Sequence, residues 1–226
     1  MSKFRELVQA LRADPLRTMV RMSRAQNVHA DLLSHRTVPL DQSLLDGAVL
    51  VTDRAEMLRR MPKGGRVAEI GVAAGDFSRE ILDLCAPEEL HLIDPWFDET
   101  NPDYSEQSFR TVSAKFAAEQ EAGQVVLHRA LSTEALGRFE DSTLDWVYID
   151  AAHDYASVAD DLAAAARAVR PGGIIAGHDY IRWVSPTMRY GVMEAVNEFA
   201  MHTRSPFLFL TNQFDKHDSF AVKLTK

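Results

Sequence analysis

Apolar positions change their spacing near residue 63, and the change divides the chain in two. Before it, Phe4, Leu7, Val8 and Leu11 recur at helical spacing until Asp14-Pro15 breaks the pattern. A polar linker near residues 34–42 then leads into a second predicted helix, from about Gln42 to Arg60, and no strand-like run appears before Arg66. From Lys63 onward, short apolar runs alternate with amphipathic stretches. "RVAEI" (66–70), "LHLID" (90–94), "QVVLH" (124–128), "LDWVYID" (144–150) and "GGIIAG" (172–177) predict five buried strands. Helical stripes separate them: Phe77, Ile81 and Leu84; Phe109, Val112 and Phe116; a short helix near 133–139; then Tyr155, Val158, Leu162 and Val169. Met188, Val192, Val196 and Phe199 stripe a fifth helix, and "PFLFLT" and "SFAVKLT" close the chain as two strands joined by a polar loop.

Apolar strands alternating with helices imply parallel pairing with both sheet faces covered. The expected fold is α/β, a doubly wound, mostly parallel seven-stranded sheet over 61–226, with an N-terminal helical extension over 1–60. The extension is expected to serve as a lid or as a homodimer contact. Ligands of such sheets bind at the carboxyl ends of the strands, near the topological switch point. The residues just after each strand are therefore where chemistry is to be sought.

Bulk properties narrow the classes. The chain has 226 residues, enough for one large α/β domain, and a net charge of −8. That balance disfavours a protein that grips nucleic acid or anionic membrane, since both rely on clustered Lys and Arg. The single cysteine, Cys85, excludes an internal disulfide, fits a reducing compartment and shares a helix face with Ile81 and Leu84, which makes it a buried structural thiol. The stretch "MSKFRELVQALRADP" lacks the apolar core of a signal peptide, and no apolar run approaches the ~20 residues of a membrane span. The expectation is a soluble cytoplasmic protein with neither a nucleic acid nor a membrane as partner.

After the first of these strands comes "EIGVAAGDFS", where Gly71 and Gly75 allow a tight turn into a helix and close approach of a ligand. The second ends at Asp94, a carboxylate able to accept from both hydroxyls of a ribose. A nicotinamide site favours G-x-G-x-x-G, but Ala73 stands where the middle glycine would be, and Glu69 would repel a pyrophosphate while suiting a cationic ligand. With "VAEIGVAAGDFS", "LHLIDPW", "LDWVYID" and "VRPGGIIAGHDY" in order, the chain resembles the class I S-adenosylmethionine-dependent methyltransferases from about Arg66 to Phe199. The resemblance implies a Rossmann-like fold in which Glu69, Gly71 and Gly75 line the amino-acid end of S-adenosylmethionine and Asp94 holds its ribose. It places Ala130 and Leu131 beside the adenine and Asp150 beside the cofactor.

Two echoing stretches, "IDAAHDY" from Ile149 and "AGHDY" from Ala176, put Asp150, His153, His178 and Asp179 at neighbouring strand ends as candidate catalytic residues. Such a cluster suits either a divalent cation or a histidine that takes the proton of an acceptor hydroxyl. The pattern is similar to metal-dependent O-methyltransferases that act on small-molecule hydroxyls. By that likeness Asp150, His178 and Asp179 would hold Mg or Mn, with His178 where an aspartate is usual. Asp154 is read as either a helix N-cap or part of the cluster, Tyr155 as core, and Tyr180, Arg182 and Trp183 as cover for a small-molecule acceptor. Two other readings stand beside this one: an NAD(P)-dependent oxidoreductase, and a non-catalytic binding module on the same fold.

Overall fold

The computed structural model describes residues 38–97, 105–182, 190–213 and 217–225. The helix predicted around Phe4–Leu11, and the positions Trp183 and Met188, lie outside the described residues. A single 3-10 turn at Gln42–Leu44 is followed by β1 (Val49–Val51), α1 (Arg54–Arg60), β2 (Arg66–Ile70), α2 (Asp76–Cys85) and β3 (Glu89–Asp94). Next come α3 (Glu106–Lys115), α4 (Ala117–Glu121), β4 (Val125–Arg129), α5 (Ser132–Gly137), β5 (Leu144–Ile149) and α6 (Tyr155–Ala168). The chain closes with β6 (Val169–Gly177), α7 (Val192–Thr203), β7 (Phe207–Thr211) and β8 (Phe220–Lys223).

The strands form one sheet in the order β1-β7-β8-β6-β5-β2-β3-β4, and β8 alone runs antiparallel to its neighbours. The α/β doubly wound fold expected from the pattern is present, with one strand more than the seven counted. The helix expected over 42–60 is the correction. Asp53 caps only α1, accepting from the Glu56 amide at 2.7 Å, and Val49–Val51 pairs with β7 instead. Val49 and Leu50 are exposed, as an edge strand allows.

Two apolar layers flank the sheet. Ala68, Ile70, Val147 and Ile149 face one layer with Leu162, Ala165 and Val196 from α6 and α7. Val67, Trp146 and Tyr148 face the other with Met57, Phe77 and Ile81 from α1 and α2. Side chains alternate across a strand, so Glu69 and Tyr148, paired in register, belong to the α1–α2 side. Cys85 is fully buried there, its thiol against the Leu58 carbonyl. Tyr155 does not join the core: it is 46% exposed and its hydroxyl donates to Glu198.

Candidate active site

β2 and β5 are neighbours, but β3 and β4 continue to one side of β2 whereas β6 and β8 lie beyond β5. The winding therefore reverses between β2 and β5, where a crevice opens at the carboxyl ends. The Asp150 amide bonds to the Ile70 carbonyl and the His178 amide to the Ile149 carbonyl, which holds the three strand ends together. A cleft of about 860 Å³ opens there, walled by Gly71, Asp94, Leu131, Asp150, His153 and Asp161 among others.

The glycine turn is fixed from several sides. Gly71 has φ +85°, and a Cβ on it would sit 2.0 Å from the Asp150 carbonyl oxygen, so no other residue fits. Asp94, buried at the end of β3, accepts from the Val72 and Ala73 amides at 2.9 and 3.0 Å and from the Trp96 amide at 2.6 Å. Trp96, fully buried, returns an indole N–H to the Ala73 carbonyl at 3.0 Å. Asp94 thus anchors the turn before any ligand arrives, while still forming part of the cleft wall. Ala73, at the place of the missing glycine, takes a left-handed φ of +48°, which costs an L-residue about 1 kcal/mol.

The remaining cofactor candidates divide. Leu131 is 63% exposed and walls the cleft, whereas Ala130 packs in the core beneath it. Next to Leu131, Ser132 donates a short hydrogen bond to Asp161, whose burial pushes its carboxyl up to about 6. Glu69 is not in the cleft wall: its strand parity aims it under α2, where Ser78 Oγ donates to it at 2.5 Å. Burial there pushes its carboxyl up to about 8 despite that hydrogen bond. Gly75, at φ +72°, lies behind the turn against Phe116.

At the other end of the cleft, Asp179 is the point of convergence. It is 5% exposed with φ +57°, and three imidazoles meet its carboxylate. His153 Nε2 lies at 2.7 Å, His217 Nδ1 at 2.5 Å and His178 Nδ1 at 3.3 Å. Burial raises the proton affinity of Asp179, but the hydrogen bonds from His153, His178 and His217 outweigh it and hold the carboxyl far below the usual range. The same hydrogen bond, donated to Asp179, raises His153 above the ordinary histidine value, against burial. His153 also stacks on Tyr190 at 4.8 Å, and its backbone carbonyl receives the Gly191 amide.

Asp150, three-quarters buried, is raised by burial and lowered in part by His178, whose Nδ1 is 3.8 Å from it, and by Arg54. Among the described residues one group of acid and imidazole ligand atoms lies close enough to share an ion: Asp150, His153 and Asp179, all within 4.8 Å of one another. His153 stands in that set where the sequence suggested His178. His178 remains beside both aspartates, and its Nε2 is buried without a hydrogen-bond partner. Asp154 caps α6, accepting from the Ser157 amide at 3.1 Å. Tyr180 is turned inward, its hydroxyl donating to Asn197 at 2.6 Å.

Sequence reasoning missed four members. Arg54 enters from α1, placing Nη1 3.6 Å from Asp150 and its guanidinium 4.2 Å above the Phe77 ring. Trp96 and Tyr190 brace the two ends of the site. His217 begins "HDS", a third His-Asp pair after those of "IDAAHDY" and "AGHDY", and that repetition was the signal available for it.

A mostly parallel α/β sheet with a glycine turn, a buried acid ending the next strand and an acid–imidazole cluster at its switch point is the frame of a class I S-adenosylmethionine-dependent methyltransferase, and the family match bears that class out. The family model described as "Methyltransferase domain" matches residues 68–180, and the chain belongs to that family. No curated protein matches the chain. Among solved structures it is similar to a fibrillarin from Aeropyrum pernix with bound S-adenosylmethionine, at 14% identity and TM-score 0.54, over 75% of this chain and 73% of that one. A methyltransferase from Aquifex aeolicus matches at 12% identity and TM-score 0.55, over 77% and 91%. An rRNA methylase from Streptococcus thermophilus matches at 11% identity and TM-score 0.52, over 76% and 95%.

Proposed function

We propose that the enzyme transfers a methyl group from S-adenosylmethionine to a hydroxyl of a small molecule. The observation that carries this reading is the His153–Asp179 pair opening on the cleft beside Asp150. Methyl transfer from a sulfonium is a direct displacement; the donor supplies the activated methyl, and the protein must align the acceptor and take its proton. His153 presents Nε2 to Asp179, which fixes the tautomer and leaves Nδ1 as the base for an acceptor O–H. The raised proton affinity of His153 suits that task near neutral pH.

The donor set also fits a divalent cation. Asp150, His153 and Asp179 would hold it, the mixture of oxygen and nitrogen ligands suiting Mn or a related transition metal better than Mg. Such an ion would stabilise the acceptor's alkoxide or phenolate. Under that arrangement His153 and Asp179 position rather than accept the proton. A polyanionic acceptor is disfavoured by Asp94, Asp150, Asp160 and Asp161 in the cleft wall and by the net charge of −8. Among the described residues no helix is long and apolar enough to cross a membrane.

The test is turnover with radiolabelled S-adenosylmethionine against catechols, sugar hydroxyls, thiols, amines and ribosomal RNA, each with EDTA and with added manganese. Methylation confined to hydroxyl acceptors and lost in Asp179→Asn supports the proposal. Transfer to RNA or to amines alone overturns it. Inhibition by EDTA, restored by manganese, assigns the ion a part in the reaction; insensitivity assigns the proton to His153.

A further inference from the structure

We infer that Arg54 is the binding residue for the α-carboxylate of the methyl donor's amino-acid end, which makes α1 part of the cofactor site. The inference rests on S-adenosylmethionine being the donor. Three acids, Asp94, Asp150 and Asp179, stand at the crevice of the switch point, and Glu69 is buried beside them under α2. Among the described residues Arg54 is the one Lys or Arg in ion-pair contact with any of them. The donor brings both signs there: an ammonium and a sulfonium that acids attract, and a carboxylate that they repel. A cation is needed on the side where that carboxylate lies.

Arg54 has the form of a waiting partner. Its side chain is 17% exposed, and its guanidinium is stacked on Phe77, whose ring packs on Tyr148 at 4.4 Å. Stacking fixes the plane of the fork; part of it meets the Tyr148 hydroxyl, and the rest of its five donors are left for a ligand. Its ion pair with Asp150 is loose, at 3.6 Å, whereas Arg66–Glu89 and Arg170–Asp145 close to 2.6 and 2.7 Å elsewhere in this protein. A planar fork of five donors matches a carboxylate in two parallel hydrogen bonds, which Asp150 does not receive. With the donor bound, Asp150 faces the ammonium and Arg54 faces the carboxylate.

The test compares two probes by calorimetry on the full chain. One is S-adenosylhomocysteine; the other is its decarboxylated analogue, which keeps the adenosine, the sulfur and the ammonium. Arg54→Met, which preserves the stem over Phe77, is expected to weaken S-adenosylhomocysteine roughly ten- to a hundredfold and to leave the analogue unchanged or tighter. Arg54→Lys, which keeps the charge and loses the fork, is expected to show a smaller loss on the same probe alone, and serves if the methionine variant does not fold. An equal loss on both probes, or no loss on S-adenosylhomocysteine, overturns the assignment. Failure of the unaltered protein to bind either probe overturns the donor reading itself, and with it this one.

Discussion

Glu69→Gln is expected to stabilise the protein at alkaline pH and to do so increasingly as pH rises. Glu69 is 1% exposed, with the Ser78 hydroxyl as its hydrogen-bond partner and, among the described residues, no ion-pair partner, Arg54 acting on it only from a distance. Burial raises its carboxyl from 4.5 to about 8. A folded value above the unfolded one means that the native state binds the extra proton between those limits, so stability is full below 4.5 and falls as pH rises towards 8. Each unit of difference corresponds to about 1.4 kcal/mol, and between pH 5 and pH 8 the loss from this one group is roughly 3 kcal/mol. Glutamine keeps the shape and a polar partner for Ser78 but never ionises. The measurement is urea unfolding of both proteins at half-unit intervals from pH 5 to pH 8.5, compared as a difference so that other groups cancel. The stability gap should widen steadily in favour of the variant. A gap that stays constant to within about 0.5 kcal/mol, the ordinary spread of additive effects, would refute the buried neutral acid.

Gly71→Ala should abolish S-adenosylhomocysteine binding in calorimetry, because its Cβ would overlap the Asp150 carbonyl at 2.0 Å and push apart the two strand ends that form the cleft; retained affinity would show that the turn is not the binding element. Asp179→Asn should lower the titration midpoint of His153 followed by its ring proton resonances, since Asp179 is the main cause of the upward shift. In the unaltered protein the stability that the raised His153 contributes is complete below the ordinary histidine value and is lost as pH rises through the folded one. The part contributed by Asp179 is present above the ordinary aspartate value and is lost as pH falls through its depressed one. Asp94→Asn replaces an acceptor of three backbone amides by a single amide oxygen. It should cost about 2 kcal/mol in denaturant unfolding, and a neutral result would mean that the turn holds itself without Asp94.

The strand ends were legible because buried parallel strands read as unbroken apolar runs, and whatever polar residue follows such a run stands at the crevice. Asp94, Asp150, His178 and Asp179 were found that way. β1 was not, because "VLV" is too short and too exposed to show a period, and its pairing with β7 joins distant parts of the chain. Losing β1 hid the place where Arg54 enters. Glu69 was recognised as an acid at the first of these strand ends, but the parity that turns it under α2 became visible only with the sheet in register. The choice of His153 over His178 as the closer partner of Asp179, and as the member of the set that could share an ion, depends on loop conformation after β5 and β6, which residue type alone does not fix. His217 illustrates the same limit: its His-Asp pair is plain in the sequence, but its distance to Asp179 depends on how the β7–β8 connection packs.

The carboxylate of Asp179 joins the loop after β5 through His153, the loop after β6 through its own backbone and His178, and the approach to β8 through His217. Separating any one of them leaves a charge in a buried place with fewer donors, at a penalty that the other two must then share. The three loops joined at Asp179 are therefore expected to open as one cooperative unit rather than independently. Amide exchange at the residues flanking His153, His178 and His217 should report one common opening free energy, and a substitution in any of the three loops should accelerate exchange in all of them.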